Sequence, residues 1–189
     1  LKFKPRFIFP LKEAFHLGSS KMKLNELFLE QLDAETKSTR RALERVPEGR
    51  NDWKPHEKSM PLGYLAALVA KMPGWIAMMI KLDEYDLNTK DAKFQPKDLN
   101  TNRELVASFD EAVAAARKAL QGATDEHLHK RWKMLVGGHV VSDSPRYVSI
   151  RDAVFTHLGH HRGQLTVYLR LNEAAVPSIY GPSADERGF

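Results

Sequence analysis

At 189 residues and 21.5 kDa, with 42% hydrophobic and 28% charged residues, the chain has the length for one domain with a sizeable core. It has no cysteine, which excludes disulfides, a thiolate nucleophile and a Cys-type zinc site, and no apolar run approaches the roughly 20 residues of a membrane span; a cytoplasmic protein with no membrane contact is expected. The net charge of +5 and pI near 9.4 do not make it a nucleic-acid binder, because Lys2, Lys4, Arg6, Lys12, Lys21 and Lys23 face Glu13 alone within residues 1–23 and the remainder is neutral, without a basic face or interleaved aromatics.

Residues 1–21 read as a basic, solvated N-terminal extension, and 22–189 as the folded domain, with Met22 a natural start. FIFPL at 7–11 is too short for the core of a secretory signal. A first helix is expected from about Lys23 to Arg45, with Leu24, Phe28, Leu32, Ala42, Leu43 and Val46 on one stripe, ending at the PEG of 47–49. A second follows Ser59, with Pro61 in its first turn and Leu62, Leu65, Leu68, Val69 and Met72 inward. Pro73-Gly74 then breaks or kinks it before WIAMMIKL resumes. A third opens at Thr101, with Glu104 completing a capping box, and buries Leu105, Phe109, Ala112, Val113, Ala116 and Leu120. Between 131 and 148, a Gly-Gly pair set in short β-branched runs reads as a small hairpin or extended loop. The fourth helix is expected from Ser149, with Asp152 three residues on, to about Leu171. These elements make an all-α four-helix bundle, whose long second and third connections suit up-down-down-up or simple antiparallel order.

The chemistry concentrates in HLGHHRGQLTVYLRL, residues 157–171. With His157 at zero, Ile150 and Tyr168 fall near ~20°, His161 near ~40°, Val154 near ~60° and Leu165 near ~80°. His157 and His161 thus occupy the middle of the apolar stripe one turn apart, while His160 lies at its edge. The i,i+4 spacing aims two imidazoles the same way from a rigid backbone, as helical two-His metal sites require. The alternative is a pair of core histidines, each needing a hydrogen-bond partner at roughly 1–3 kcal/mol if unmet. Arg162 falls off the stripe and suits an ion pair with another helix or the tail. Gly163 suits a close backbone approach, and Trp53, Trp75 and Trp132 suit plugs between loops and helices. Tyr180 and Gly181-Pro182 read as a turn docking back, which Asp185-Glu186 would cap.

This segment, with VPSIYGPSADE at 176–186, ETKSTRRALERVP at 35–47, DWKPHEKSMPLGYLAALVAKMPGW at 52–75 and GGH at 137–139, resembles the DinB-like (damage-inducible, YfiT-like) metal-binding four-helix-bundle family over about residues 22–186. The resemblance implies an up-down-down-up bundle, often dimeric. It also implies one divalent ion, nickel or zinc, held by a helix-two histidine and a helix-four His-x-x-x-His pair. The pair maps onto His157 and His161. The third position is Leu68, because LAALVAKM stands where relatives read along the lines of LAAHVAEL.

Leucine cannot coordinate a metal, which leaves three readings. Another side chain substitutes: Glu35 or Thr39 on the first helix, which fall mid-stripe near ~340° and ~20° from Phe28, or less readily His56, His139 or His160. An ion pair or hydrogen bond is the competing use of Glu35. In the second reading the pocket works without a tightly held metal, and the histidines, bonded to Glu35, Gln164, Tyr168 or water, do acid–base work. In the third the chain is a site-degenerate, non-catalytic member that acts as a dimeric binding protein. The expected activity is a metal-dependent thiol S-transferase or hydrolase, with His157, His161 and Glu35 as catalytic residues, a homodimer, and a thiol or other small molecule as substrate.

Overall fold

The computed structural model describes residues 22–88 and 99–187; the basic extension expected at 1–21 lies outside the described residues. Helix α1 spans Leu24–Leu43, α2 Leu62–Lys71, α3 Gly74–Lys81 and α4 Asn102–Gln121. Short α5, Asp125–His129, leads into strands β2, Arg131–Val136, and β3, His139–Pro145; β1 is Glu84–Asp86. Helix α6, Arg146–Ile150, runs without interruption through a π-helical segment, Arg151–Thr156, into α7, His157–Leu171.

The amphipathic stripes decide which faces meet. Helix α1 buries Phe28, Leu32, Ala42 and Leu43, and α4 buries Leu105, Phe109, Val113, Ala116 and Leu120. The two also join through Arg40–Asp110, at 3.2 Å, and Arg117–Asp33. Helix α2 is apolar nearly all round, as a central helix must be, and packs against α1, α4 and α7. Pro73-Gly74 ends it, and α3 departs at 50°. No single described helix is long and apolar enough to cross a membrane; α2 and α3 reach that measure only jointly, across their bend. The Thr101 capping box forms as the sequence indicates, with Thr101 Oγ1 accepting from the Glu104 N–H at 3.2 Å.

Two expectations need correction. The fold is mostly helical but not a plain all-α four-helix bundle, because a three-stranded sheet, ordered β1-β2-β3, sits at one end. The Gly137-Gly138 hairpin forms, with φ of +59° and +83° that its two-residue turn requires. β1 pairs parallel to β2, and Asp86 clamps the turn by accepting the Gly137 and Gly138 N–H groups at 2.8 and 2.6 Å. Three residues are too few to carry a strand period, so β1 has no signature in the sequence.

The fourth helical run begins at Arg146, not Ser149. Arg146 is completely buried and donates to the carbonyls of Met79 (2.5 Å), Leu82 (3.0 Å) and His127 (3.2 Å), and to Asp83 (2.7 Å). It thereby satisfies the C-terminal end of α3 and draws the first turn of α6 inward. Ser149 is internal and buried, and Asp152 pairs with Arg151.

The tail docks as expected. Glu186 bridges Arg41 of α1 and Arg45 just beyond it and accepts the Ser178 N–H at 2.8 Å, while Asp185 pairs with Arg170 of α7. The Ser178 N–H and the two guanidinium groups push the Glu186 pKa down to about 2. A carboxyl depressed in the folded state stabilises above its unfolded pKa and loses that contribution as pH falls toward the folded one. Tail docking is therefore complete above about pH 4.5 and weakens toward pH 2. Hydrogen exchange should show Ser178 amide protection lost over that window, and lost already at neutral pH in Glu186→Gln.

Candidate functional site

The helical pair forms as its spacing predicts. His161 is 5% exposed and His157 half-buried, and their Nε2 atoms converge to 2.8 Å. Each opposite nitrogen is engaged. His161 Nδ1 lies 2.8 Å from the Gln164 side-chain amide, and a ring nitrogen of His157 donates to the Ala153 carbonyl. That carbonyl belongs to the π-helical segment, where the His157 backbone N–H bonds Val154 instead. With the proton of His161 on Nδ1, the two neutral rings present lone pairs to each other at 2.8 Å; with it on Nε2, His161 donates to His157 Nε2. The first tautomer calls for a cation between the rings, and the second is satisfied without one. Burial lowers the pKa of both rings, and neighbouring histidine charge lowers it further; the Ala153 and Gln164 bonds oppose the shift without reversing it. Neutral rings are the form that ligates a metal.

In the first tautomer the two convergent nitrogens fit a divalent cation, with its remaining positions open. Leu68, at the third position, is 6% exposed and part of the apolar core. Among the described residues no group of three or more His, Asp or Glu side chains is placed to hold a metal. Trp75, on α3, flanks the pair with its ring 6.0 Å from that of His157, and Trp53 meets Tyr168 edge-on at 5.5 Å. The Tyr168 hydroxyl donates to the Met60 carbonyl at 3.2 Å, so it is not a partner of the histidines. His56 and His139 are exposed, on the loop before α2 and on β3. Trp132 is buried on β2.

Glu35, expected as a catalytic carboxylate or substitute ligand, belongs to a separate polar cluster. It pairs with Arg162 at 2.6 Å and accepts the Tyr180 hydroxyl, 2.9 and 3.0 Å from its two oxygens. Arg162 is 1% exposed and also donates to Thr39 Oγ1 (2.9 Å) and Tyr180 (2.5 Å). The physical reason is charge: a guanidinium buried this deeply requires a carboxylate, and Glu35 is the one facing it. Arg162 therefore does find the helix and tail partners expected of it. The close approach expected at Gly163 does not occur, since a Cβ there would meet nothing within 4 Å; Gly159 instead faces the Tyr180 hydroxyl, 3.7 Å from its would-be Cβ.

The chain matches the family model of the DinB family over residues 19–187. It is similar to the crystal structure of a DinB-like protein from Bacillus cereus ATCC 10987, at 21% identity and a TM-score of 0.62, covering 81% of this chain and 95% of that one. A DinB-like protein from Bacillus subtilis is similar at 17% identity and a TM-score of 0.61, covering 86% and 99%. These likenesses carry the fold. No curated protein matches the chain.

Removing one member of the buried pair strands the other. Glu35→Ala should lower the unfolding free energy by about 3–5 kcal/mol in denaturant titration. An apolar Glu35→Leu, Arg162→Met pair should recover most of that loss.

Proposed function

This chain belongs to the DinB family, and on that premise we propose that His157 and His161 hold a divalent cation, nickel or zinc, in a small-molecule enzyme of the thiol S-transferase or hydrolase type. The observation that carries this reading is the convergence of two Nε2 atoms, 2.8 Å apart, in rings that are each held by a further hydrogen bond. Hydrogen-bonded second nitrogens of this kind fix the tautomer and ring orientation of metal-ligating histidines. A bound cation lowers the pKa of a coordinated thiol or water, making it a nucleophile near pH 7. The chain's own residues supply the setting. Ala153 and Gln164 hold the rings in register, Trp75 screens one side, and the partial exposure of His157 leaves an approach for a substrate. Glu35 orients α7 through Arg162 and stays out of the chemistry. The up-down-down-up order and the homodimer expected from the family, and the cytoplasmic location expected from composition, belong to the same proposal.

A second reading rests on Leu68. An apolar, buried residue at the third ligand position favours a site-degenerate member that works by binding as a dimer. In that case Gln164 presents its amide NH2 to His161 Nδ1, and His161 Nε2 donates to His157 Nε2, so the pair is satisfied without a cation.

Metal content separates the two. Chelator-free protein should carry about one nickel or zinc per chain, and His157→Ala should lose it; protein that stays empty after soaking favours the degenerate reading. Leu68→His should raise metal affinity about tenfold or more, measured by competition with a chromophoric chelator.

A further inference from the structure

The hydrogen bonds around the histidine pair form one line. Gln164, exposed on α7, meets His161 Nδ1 at 2.8 Å, and His161 Nε2 meets His157 Nε2 at 2.8 Å. His157 ends the line on the Ala153 carbonyl. The two ends differ in kind. A carbonyl only accepts, so His157 must donate to it; because its Nε2 faces His161, the donor is Nδ1, and in the neutral ring Nε2 is a bare lone pair. The Gln164 amide serves either way, offering its oxygen or, turned over, its NH2.

That asymmetry sets the direction of the line in the empty site. One arrangement of neutral rings gives every contact a single proton. Gln164 donates to His161 Nδ1, His161 Nε2–H donates to His157 Nε2, and His157 Nδ1–H donates to Ala153. The spacing agrees with it. Two nitrogens ~2.0–2.1 Å from one tetrahedral ion lie about 3.3 Å apart. A separation of 2.8 Å is instead that of a direct N–H···N bond. Receiving a cation demands the reverse, since both Nε2 lone pairs must be free. His161 then loses its Nε2 proton to solvent and takes one at Nδ1, Gln164 turns its oxygen to accept it, and the ring stays neutral. Gln164 is exposed, so its amide turns over without disturbing the core.

Given the divalent-cation reading of the pair, on which this rests, we infer that Gln164 is a positioning residue that switches the pair between two states. One is a closed N–H···N contact without a cation, and the other is a pair of open lone pairs that receives one. The cation-free arrangement is then the resting state of the same site, and cation binding is coupled to a tautomer change in His161.

The test is proton–nitrogen correlation spectroscopy of the imidazole nitrogens in the full chain above neutral pH, with and without Zn²⁺, paired with zinc affinity by chelator competition. In the zinc-free parent, His157 should carry its proton on Nδ1 and His161 on Nε2; zinc should move the His161 proton to Nδ1. Gln164→Glu can only accept at this position. It should fold as the parent does by circular dichroism, hold the His161 proton on Nδ1 without zinc, and bind zinc about tenfold more tightly. Val167→Glu puts the same charge on the exposed side of α7, three residues on, and should leave both readouts as in the parent, because screened charge alone acts weakly. A zinc-free parent with the His161 proton already on Nδ1 overturns the closed state. A His161 proton that stays on Nε2 in Gln164→Glu overturns the role of Gln164, and zinc binding by the parent then leaves the cation reading standing. Equal gains in Gln164→Glu and Val167→Glu overturn it as well, since charge then suffices. Absence of zinc binding by the parent overturns the cation reading and the switch together.

Discussion

A guanidinium buried to 1% exposure governs how the last helix sits. Arg162 cannot be left without a countercharge in the interior, and Glu35, Thr39 and Tyr180 supply its partners from α1 and the tail. Pinning Arg162 against α1 fixes the rotation of α7 about its own axis. His157 and His161 project on average about 120° away from Arg162 around that axis, so they are turned from α1 toward Trp75 and the loop over Tyr168. The aim of the candidate site therefore depends on an ion pair that does not touch it.

The same economy appears at the other end of the run. Arg146, fully buried, ties the last carbonyls of α3 to the first turn of α6. The two arginines fix the helical run at its start and within α7, and the π-helical segment lies between them. The His157 backbone N–H bonds the Val154 carbonyl at the end of this segment, which leaves the Ala153 carbonyl to the His157 side chain. Backbone irregularity and side-chain chemistry are thus joined at one residue. Tyr180, although 71% exposed, places its hydroxyl in the Glu35–Arg162 cluster, and burial of that group raises its pKa against the pull of Arg162. The tail is in this way part of what holds α7.

Much of the site is legible in short-range residue patterns. The i,i+4 spacing of His157 and His161 needs only helical geometry, and the apolar neighbours Val154, Leu165 and Tyr168 indicate the inward side; all three are buried. The capping box at Thr101, the break at Pro73-Gly74 and the Gly137-Gly138 turn rest on backbone rules that act within a few residues. Glu35 is legible only as a carboxylate facing inward. Its competition between a cation and an arginine is settled by which group lies opposite, and Arg162 is distant from it in sequence. Gly163 misleads for a related reason: a small residue permits a close approach, but only a neighbouring element can make one.

By itself, then, the amino-acid order determined the helices, their apolar stripes, the turns and the pairing of two imidazoles on one face, because each follows from periodicity or from a residue's own backbone limits. Tertiary structure alone decided that Arg162 takes Glu35, that Arg146 rather than Ser149 begins the final run, and that β1 joins the sheet. Those outcomes turn on charge and hydrogen-bond demands met between distant segments, which local spacing does not record.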